Sequence, residues 1–261
     1  MRRHLAPAAA VVALLALAGC GSASGSGGGT DDPTPSGGGT KSVAARDKGP
    51  VCVGTAAADG LHVLRGGGYK LPGGGAVRYE AAQSDGTTRT ATLREGATYQ
   101  DGQRSQSVKP GQQVTYAGHA FTVSQICSYR VVLEPKDAAD RTAAAAAPVS
   151  MKSVGGAADS GLCFTTNAAV RAAAAKGFPP KGGSLTLIDN GGLKVFPTGW
   201  SVVALSVDPA AGTARFTANC AAVPVADYQD AAVGDPVELA GVEFTVGKVS
   251  GKVVTLTRTS A

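Results

Sequence analysis

The chain has 261 residues and a formal net charge of +5, from 24 Lys and Arg against 19 Asp and Glu. Both signs are interspersed, so the chain lacks the basic stripe or patch that nucleic-acid binding needs. The sequence contains five cysteines and three histidines, and no two cysteines are spaced as half of a zinc site. We therefore expect no nucleic-acid partner, no metal and no cofactor.

The N-terminal segment has the features of an export signal. Arg2 and Arg3 precede an apolar run over residues 5–18, which is too short to span a bilayer. The run ends in Leu17-Ala18-Gly19-Cys20, and Gly, Ser, Thr and Pro dominate from there to about residue 40. These residues resemble the lipobox and the flexible linker of bacterial surface lipoproteins of the actinobacterial type.

This resemblance implies a location for the protein. It implies that the Cys20 thiol carries a diacyl lipid with chains such as palmitate, that residues 1–19 are removed, and that the new N-terminus is acylated. Three acyl chains exceed the two signals that stable membrane attachment needs. We expect a lipid-anchored protein on the outer face of the cell membrane.

Composition divides the rest of the chain into segments. Residues 20–49 have almost no apolar side chains, which predicts a disordered tether with an average reach of about 30 Å. A first β-lobe is predicted over residues 50–136 and a second over residues 161–261. The Ala- and Gly-rich residues 137–160 are predicted to be a linker with a helical turn before Pro148.

The two predicted lobes are related by an internal repeat. Residues 111–123 match residues 234–246, at a spacing of 123 residues. Upstream, residues 97–101 match residues 226–230, with the order kept and short insertions between. This is typical of a duplicated domain.

The alternation of apolar residues predicts β-hairpins. Val114 and Tyr116 face one side, Ala117-Gly118 form a turn, and Phe121 and Val123 return on the same side. The second copy repeats this pattern. With further short strands bounded by turns, the sequence predicts a mainly β protein of two homologous small β-sandwich or barrel-like lobes.

A single short helix is predicted in the second lobe. Thr166 or Asn167 can cap a helix over residues 168–176, and Gly177 can end it before Pro179.

The cysteines predict one disulfide in each lobe. An even number of cysteines remains once Cys20 carries lipid, and exported chains use such cysteines as disulfides. Because each copy contains two of them, we expect the bridges Cys52–Cys127 and Cys163–Cys220. Each bridge would stabilise its lobe by about 4 kcal/mol in the entropic model.

A Tyr-Gln-Asp sequence occurs in both copies and gives the binding candidates. They are Tyr99, Gln100, Asp101, Tyr228, Gln229 and Asp230. In the functional interpretation, these residues form twin recognition loops with an aromatic anchor. As structure, the tyrosine would cover the edge of the core while the aspartate closes a turn.

Four other features have structural interpretations. His119 aligns with Val242 and is predicted to be structural, so His119→Val should change stability by no more than about 1 kcal/mol. His62 is predicted to face solvent, and Trp200 to lie in the core or line a groove. The glycines of residues 66–68 and 73–75 are predicted to form mobile loops, with a ligand cradle as the alternative.

The sequence contains no catalytic motif, since G-x-S-x-G and H-E-x-x-H are both absent. Our hypothesis is a non-enzymatic binding or envelope-interaction module whose partner is an envelope protein, a glycan or a small ligand. An extracytoplasmic hydrolase with a dispersed site and a secreted-type protein inhibitor remain as alternatives. A cleft of converging polar groups would favour the hydrolase, and an exposed apolar patch would favour a binding module.

Overall fold

The first lobe is built from short antiparallel strands, as its alternating pattern predicts. The computed structural model describes residues 49–71, 74–146, 165–197 and 199–260. The strands described in this lobe are β1 (Cys52–Gly54), β2 (Leu61–Leu64), β3 (Gly68–Lys70), β4 (Ala76–Ser84), β5 (Arg89–Glu95), β6 (Ser105–Val108), β7 (Gln113–Tyr116), β8 (His119–Cys127) and β9 (Arg130–Pro135). They form one sheet of order β1-β8-β9-β2, in which β7 also pairs with β8, and another of order β3-β4-β5-β6.

The second lobe repeats this arrangement. Its described strands are β10 (Ser184–Ile188), β11 (Lys194–Val195), β12 (Trp200–Asp208), β13 (Thr213–Cys220), β14 (Val223–Ala232), β15 (Pro236–Leu239), β16 (Val242–Ser250) and β17 (Val253–Arg258). One sheet has the order β10-β17-β16-β15 and the other β11-β12-β13-β14. The first corresponds to β2-β9-β8-β7 of the first lobe and the second to β3-β4-β5-β6.

The irregularities of the strands are repeated as well. A bulge between Tyr79 and Ala81 in β4 recurs between Ala204 and Ser206 in β12. Tyr79 makes a parallel bridge to Arg65, and Ala204 makes the same kind of bridge to Asp189. This bridge joins the two sheets of each lobe, so both lobes are barrel-like. The strands of both lobes confirm the prediction of a mainly β protein.

The predicted hairpin turn is present in both lobes. Ala117 and Gly118 have φ angles of 50° and 86°, and Ala240 and Gly241 have 50° and 79°. Positive φ at both central residues defines a type I′ turn, whose twist matches that of the flanking strands. The alanines accept a left-handed conformation that costs about 1 kcal/mol or more, so the hairpin pairing holds them there.

Two helices lie in the described ranges. The predicted helix is α2 (Ala168–Ala174), and the Asn167 side chain accepts hydrogen bonds from the backbone N–H groups of Ala169 and Val170. This is the N-cap that the sequence predicts. The other helix, α1 (Ala138–Ala145), lies within the predicted linker.

The two lobes pack directly against each other. The described residues belong to one compact unit that spans residues 45–261, and the buried apolar side chains form a cluster that continues through both lobes. At Gly67 a Cβ atom would collide with the backbone carbonyl of Val225 on β14. The prediction of a mobile loop at residues 66–68 is therefore wrong. These glycines let the first lobe approach β14, which a side chain would prevent.

The predicted Cys52–Cys127 disulfide is present and ties β1 to the end of β8. Cys220 is also disulfide-bonded, whereas its predicted partner Cys163 lies outside the described residues. The predicted signal peptide, Cys20 and nearly all of the predicted tether lie outside them too.

Candidate functional site

A cleft between the two lobes brings together polar side chains that are far apart in the sequence. Its volume is about 40 Å³, enough for a few waters or a small chemical group. We call it the interlobe cleft; the polar and aromatic residues that line it are His62, Tyr69, Thr165, Arg171, Trp200 and Glu238.

A charged cluster crosses between the lobes at this cleft. Glu238 on β15 is only 1% exposed. One of its carboxylate oxygens lies 3.1 Å from Nδ1 of His62 on β2, and the other lies 3.2 Å from Nη1 of Arg130 on β9. A buried carboxylate needs such partners, because its desolvation is otherwise very costly.

The His62 ring can satisfy only one neighbour at a time. Its Nδ1 is 3.1 Å from the Glu238 carboxylate and 3.0 Å from Nη1 of Arg130. A carboxylate only accepts hydrogen bonds and a guanidinium only donates them. Protonated Nδ1 therefore donates to Glu238, and deprotonated Nδ1 accepts from Arg130.

The surroundings of Glu238 keep it ionised. Burial raises its pKa, but the hydrogen bond from His62 and the positive charges of His62, Arg130 and Arg171 bring the pKa below its ordinary value. Tyr228 also fixes the backbone of Glu238. The phenol donates to the Glu238 carbonyl at 2.8 Å and accepts from the Glu238 N–H at 3.0 Å.

The duplication does not reproduce this cluster. The strand registers place Thr186 where the first lobe has His62, and Thr115 where the second has Glu238. Both threonines are exposed. The charged residues therefore occupy the strand faces that the contact between the lobes covers, whereas the equivalent faces elsewhere are solvated.

The cleft also holds two hydrogen-bond donors that have no partner in the part of the chain that the structure describes. Trp200 is 4% exposed, and its buried indole N–H makes no hydrogen bond with the described residues. Arg171 on α2 makes no side-chain hydrogen bond or ion pair with the described residues. A Cβ built on Gly241 would lie 2.8 Å from its Nε, so its guanidinium lies directly over this glycine at the wall of the cleft.

The described residues of the cleft supply hydrogen-bond donors and a paired carboxylate. Within the described residues, no serine, threonine or cysteine side chain is hydrogen-bonded to His62, and Thr165 accepts instead from the Asn167 N–H at 3.1 Å. Nor do three His, Cys, Asp or Glu side chains gather in the described ranges to hold a metal ion. The arrangement is suited to holding a polar ligand.

The two Tyr-Gln-Asp sequences occupy different settings. Tyr99 is 62% exposed in the turn between β5 and β6, where its hydroxyl donates to Asp101 and Arg94 stacks on its ring. Tyr228 lies within β14 and is only 4% exposed. The two copies are therefore not twin recognition loops. Tyr228 has the structural role, and Tyr99 remains available to a partner.

Sheet register explains why the two copies differ. Leu93 of β5 pairs with Gln106, and Phe216 of β13, its equivalent, pairs with Tyr228. The structural equivalent of Tyr228 is therefore Gln106 and not Tyr99. Gln100 and Gln229 are both exposed, as are Asp101 and Asp230, but they do not occupy matching positions.

His119 has a partner that the sequence did not reveal. Its Nδ1 lies 2.9 Å and 3.0 Å from the two carboxylate oxygens of Asp140 on α1, and Asp140 is 8% exposed. The pair attaches α1 to β8. Among the described residues no hydroxyl or thiol is hydrogen-bonded to His119, so the pair supports a structural role.

We expect His119→Val to lower the free energy of unfolding by about 2 kcal/mol, because it leaves the buried Asp140 carboxylate without its partner. This replaces the sequence-based expectation of 1 kcal/mol or less. Urea unfolding measures it, and the double variant His119→Val/Asp140→Ala should recover part of the loss. If the single variant is as stable as the wild type, the pair contributes nothing.

Sequence reasoning missed the charged cluster. The alternation around Leu61 and Val63 predicts that His62 faces solvent, yet its side chain is only 16% exposed. Glu238 lies between Val237 and Leu239, so alternation alone puts it on a solvent face. One sequence signal indicates the cluster. The repeated hairpin has a charged residue, Glu238, at the position where the other copy has Thr115.

No family model, curated protein or solved structure matches this chain. Within the described ranges, neither helix is long and apolar enough to cross a membrane.

Proposed function

We propose that this chain is a lipid-anchored extracytoplasmic protein that acts as a non-enzymatic binding module, with the interlobe cleft as its binding site. The anchoring part rests on the lipobox-like residues that end in Cys20. The binding part rests on one observation. The cleft is lined by two residues, Trp200 and Arg171, whose donor groups have no partner among the described residues.

The alternatives have less support. A hydrolase needs a nucleophile in hydrogen-bond contact with its base, and among the described residues neither His62 nor His119 has one. An inhibitor needs an exposed anchor, typically an aromatic one, and Tyr99 with its 62% exposure is the one exposed aromatic side chain among the described residues. We retain the binding module as the best-supported function.

The anchor is tested by Cys20→Ala. We expect this variant to leave the membrane fraction and to lose incorporation of labelled palmitate, because the thiol is the attachment point of the lipid. Cys52→Ala is the matched control, since it should keep both. Membrane retention of the Cys20→Ala protein with its label would refute the lipoprotein assignment.

The binding role is tested by capture from an envelope extract, with the full chain carrying Cys20→Ala as bait. Baits with and without Arg171→Gln are compared by mass spectrometry of the bound material. We expect material that the wild-type cleft retains and the Arg171→Gln cleft does not. Identical sets on the two baits would refute binding at this cleft.

A further inference from the structure

The interlobe cleft has an excess positive charge, because Glu238 can neutralise only one of the two arginines near it. Glu238 is already matched by Arg130 at 3.2 Å. Arg171, which lines the same cleft, acts on Glu238 only at longer range. The three groups together have a formal charge of +1, before any proton on His62 is counted.

Two donors in the cleft, the Trp200 indole N–H and the Arg171 guanidinium, have no hydrogen-bond partner among the described residues, and they define the complementary ligand. Oε2 of Glu238 makes no hydrogen bond within the described residues either, but it has the Arg130 guanidinium 3.2 Å away as its ion-pair partner. The Trp200 indole can only donate a hydrogen bond, and so can the Arg171 guanidinium. The Trp200 indole N–H is buried, so the lack of a partner costs free energy there. A ligand that supplies acceptors would remove that cost, whereas a cation or a second donor would add to it.

We propose that the interlobe cleft binds the carboxylate group of an acidic ligand, held by Arg171 and Trp200. This proposal rests on the binding function proposed above and specifies its ligand class. The planar guanidinium fork matches the two oxygens of a carboxylate. A cleft of about 40 Å³ admits such a group but not a bulky one.

Glu238 would repel a carboxylate ligand if its charge were uncompensated. Arg130 and His62 contact both of its oxygens, and both come from the first lobe. These two residues compensate the Glu238 charge from the side of the first lobe. Arg171 can therefore bind the ligand. The charged cluster is thus the support of the site, and Arg171 is its contact residue.

The only tryptophan of the chain makes binding directly measurable. Trp200 is the sole source of indole fluorescence, so a ligand in the cleft should change that signal. The full chain carrying Cys20→Ala is titrated with acetate, with acetamide as the neutral isostere, with inorganic phosphate and with chloride at equal ionic strength. We expect a saturable change with acetate and none with acetamide or chloride.

Variants then assign the effect to the cleft. Arg171→Gln should weaken acetate binding at least tenfold, because a charge-assisted bidentate contact is lost. Arg104→Gln is the matched control, since Arg104 is an exposed arginine outside the cleft and its loss should leave binding unchanged. Trp200→Phe should also weaken acetate binding while the variant still folds. Because this variant lacks the indole, its acetate binding is measured by calorimetry.

Two sources of the carboxylate are distinguished by comparing acetate with N-acetylglycine. Tighter binding of N-acetylglycine favours the end of a longer chain, and tighter binding of acetate favours a free small acid. Equal responses to acetate and acetamide, or a response to chloride or phosphate alone, would overturn the carboxylate proposal. If material is captured through Arg171 while acetate does not bind, the carboxylate inference fails and the binding function stands.

Discussion

Glu238→Thr should lower the free energy of unfolding by about 3–5 kcal/mol, because it leaves the Arg130 guanidinium buried between the lobes without its counter-charge. Thr is the residue at the equivalent position of the first lobe, Thr115, so the strand itself accepts it. Denaturant unfolding monitored by Trp200 fluorescence measures the change. A loss below about 1 kcal/mol would mean that the cluster does not hold the lobes together.

A matched variant separates the charge from the packing. Replacing His62, Arg130 and Glu238 together by the residues of their repeat mates gives His62→Thr, Arg130→Val and Glu238→Thr. We expect this triple variant to be more stable than Glu238→Thr alone, since removing all the charges leaves none uncompensated. If the triple variant is the less stable one, packing rather than charge dominates at this contact.

The effect of Glu238→Thr should depend on pH. The pKa of Glu238 is lower in the folded protein than its ordinary value. Its contribution to stability is therefore complete above the ordinary pKa and is lost as the pH falls through the folded pKa. The difference in stability between wild type and variant should shrink in acid. A constant difference from neutral pH down to acid would contradict the ion pair.

Replacing both Cys52 and Cys127 by alanine should lower the free energy of unfolding by about 4 kcal/mol, because the bridge closes a long loop in the unfolded chain. The two residues are 75 positions apart. The expected fall in Tm is about 8–16 °C for a protein of this size. β1 should detach first, since it has three residues and, among the described strands, pairs only with the end of β8.

The control for this experiment is the wild-type chain under reducing conditions. Reduction should lower its Tm further than the double variant does, because Cys220 is disulfide-bonded as well. Hydrogen exchange at Val53 then reports whether β1 has left the sheet. Unchanged protection at Val53 in the double variant would show that strand pairing alone holds β1.

The local features of this fold could be predicted from neighbouring residues. The hairpins follow from alternation around Ala117-Gly118 and its repeat, because side chains of a strand alternate between faces with a period of two. The start of α2 follows from Asn167, whose short side chain reaches the first free N–H groups of the helix. The Cys52–Cys127 bridge follows from the number of cysteines in each copy.

Only the tertiary structure decided which strand faces are covered. Thr115 and Glu238 occupy the same position in two copies of one hairpin, yet the first is exposed and the second is 1% exposed. Alternation tells which residues share a face but not whether another lobe packs on it. His62 and Glu238 are 176 positions apart, and no local pattern specifies that contact. The candidate site therefore arises from the packing of the lobes, where the covered faces need buried charges to be paired.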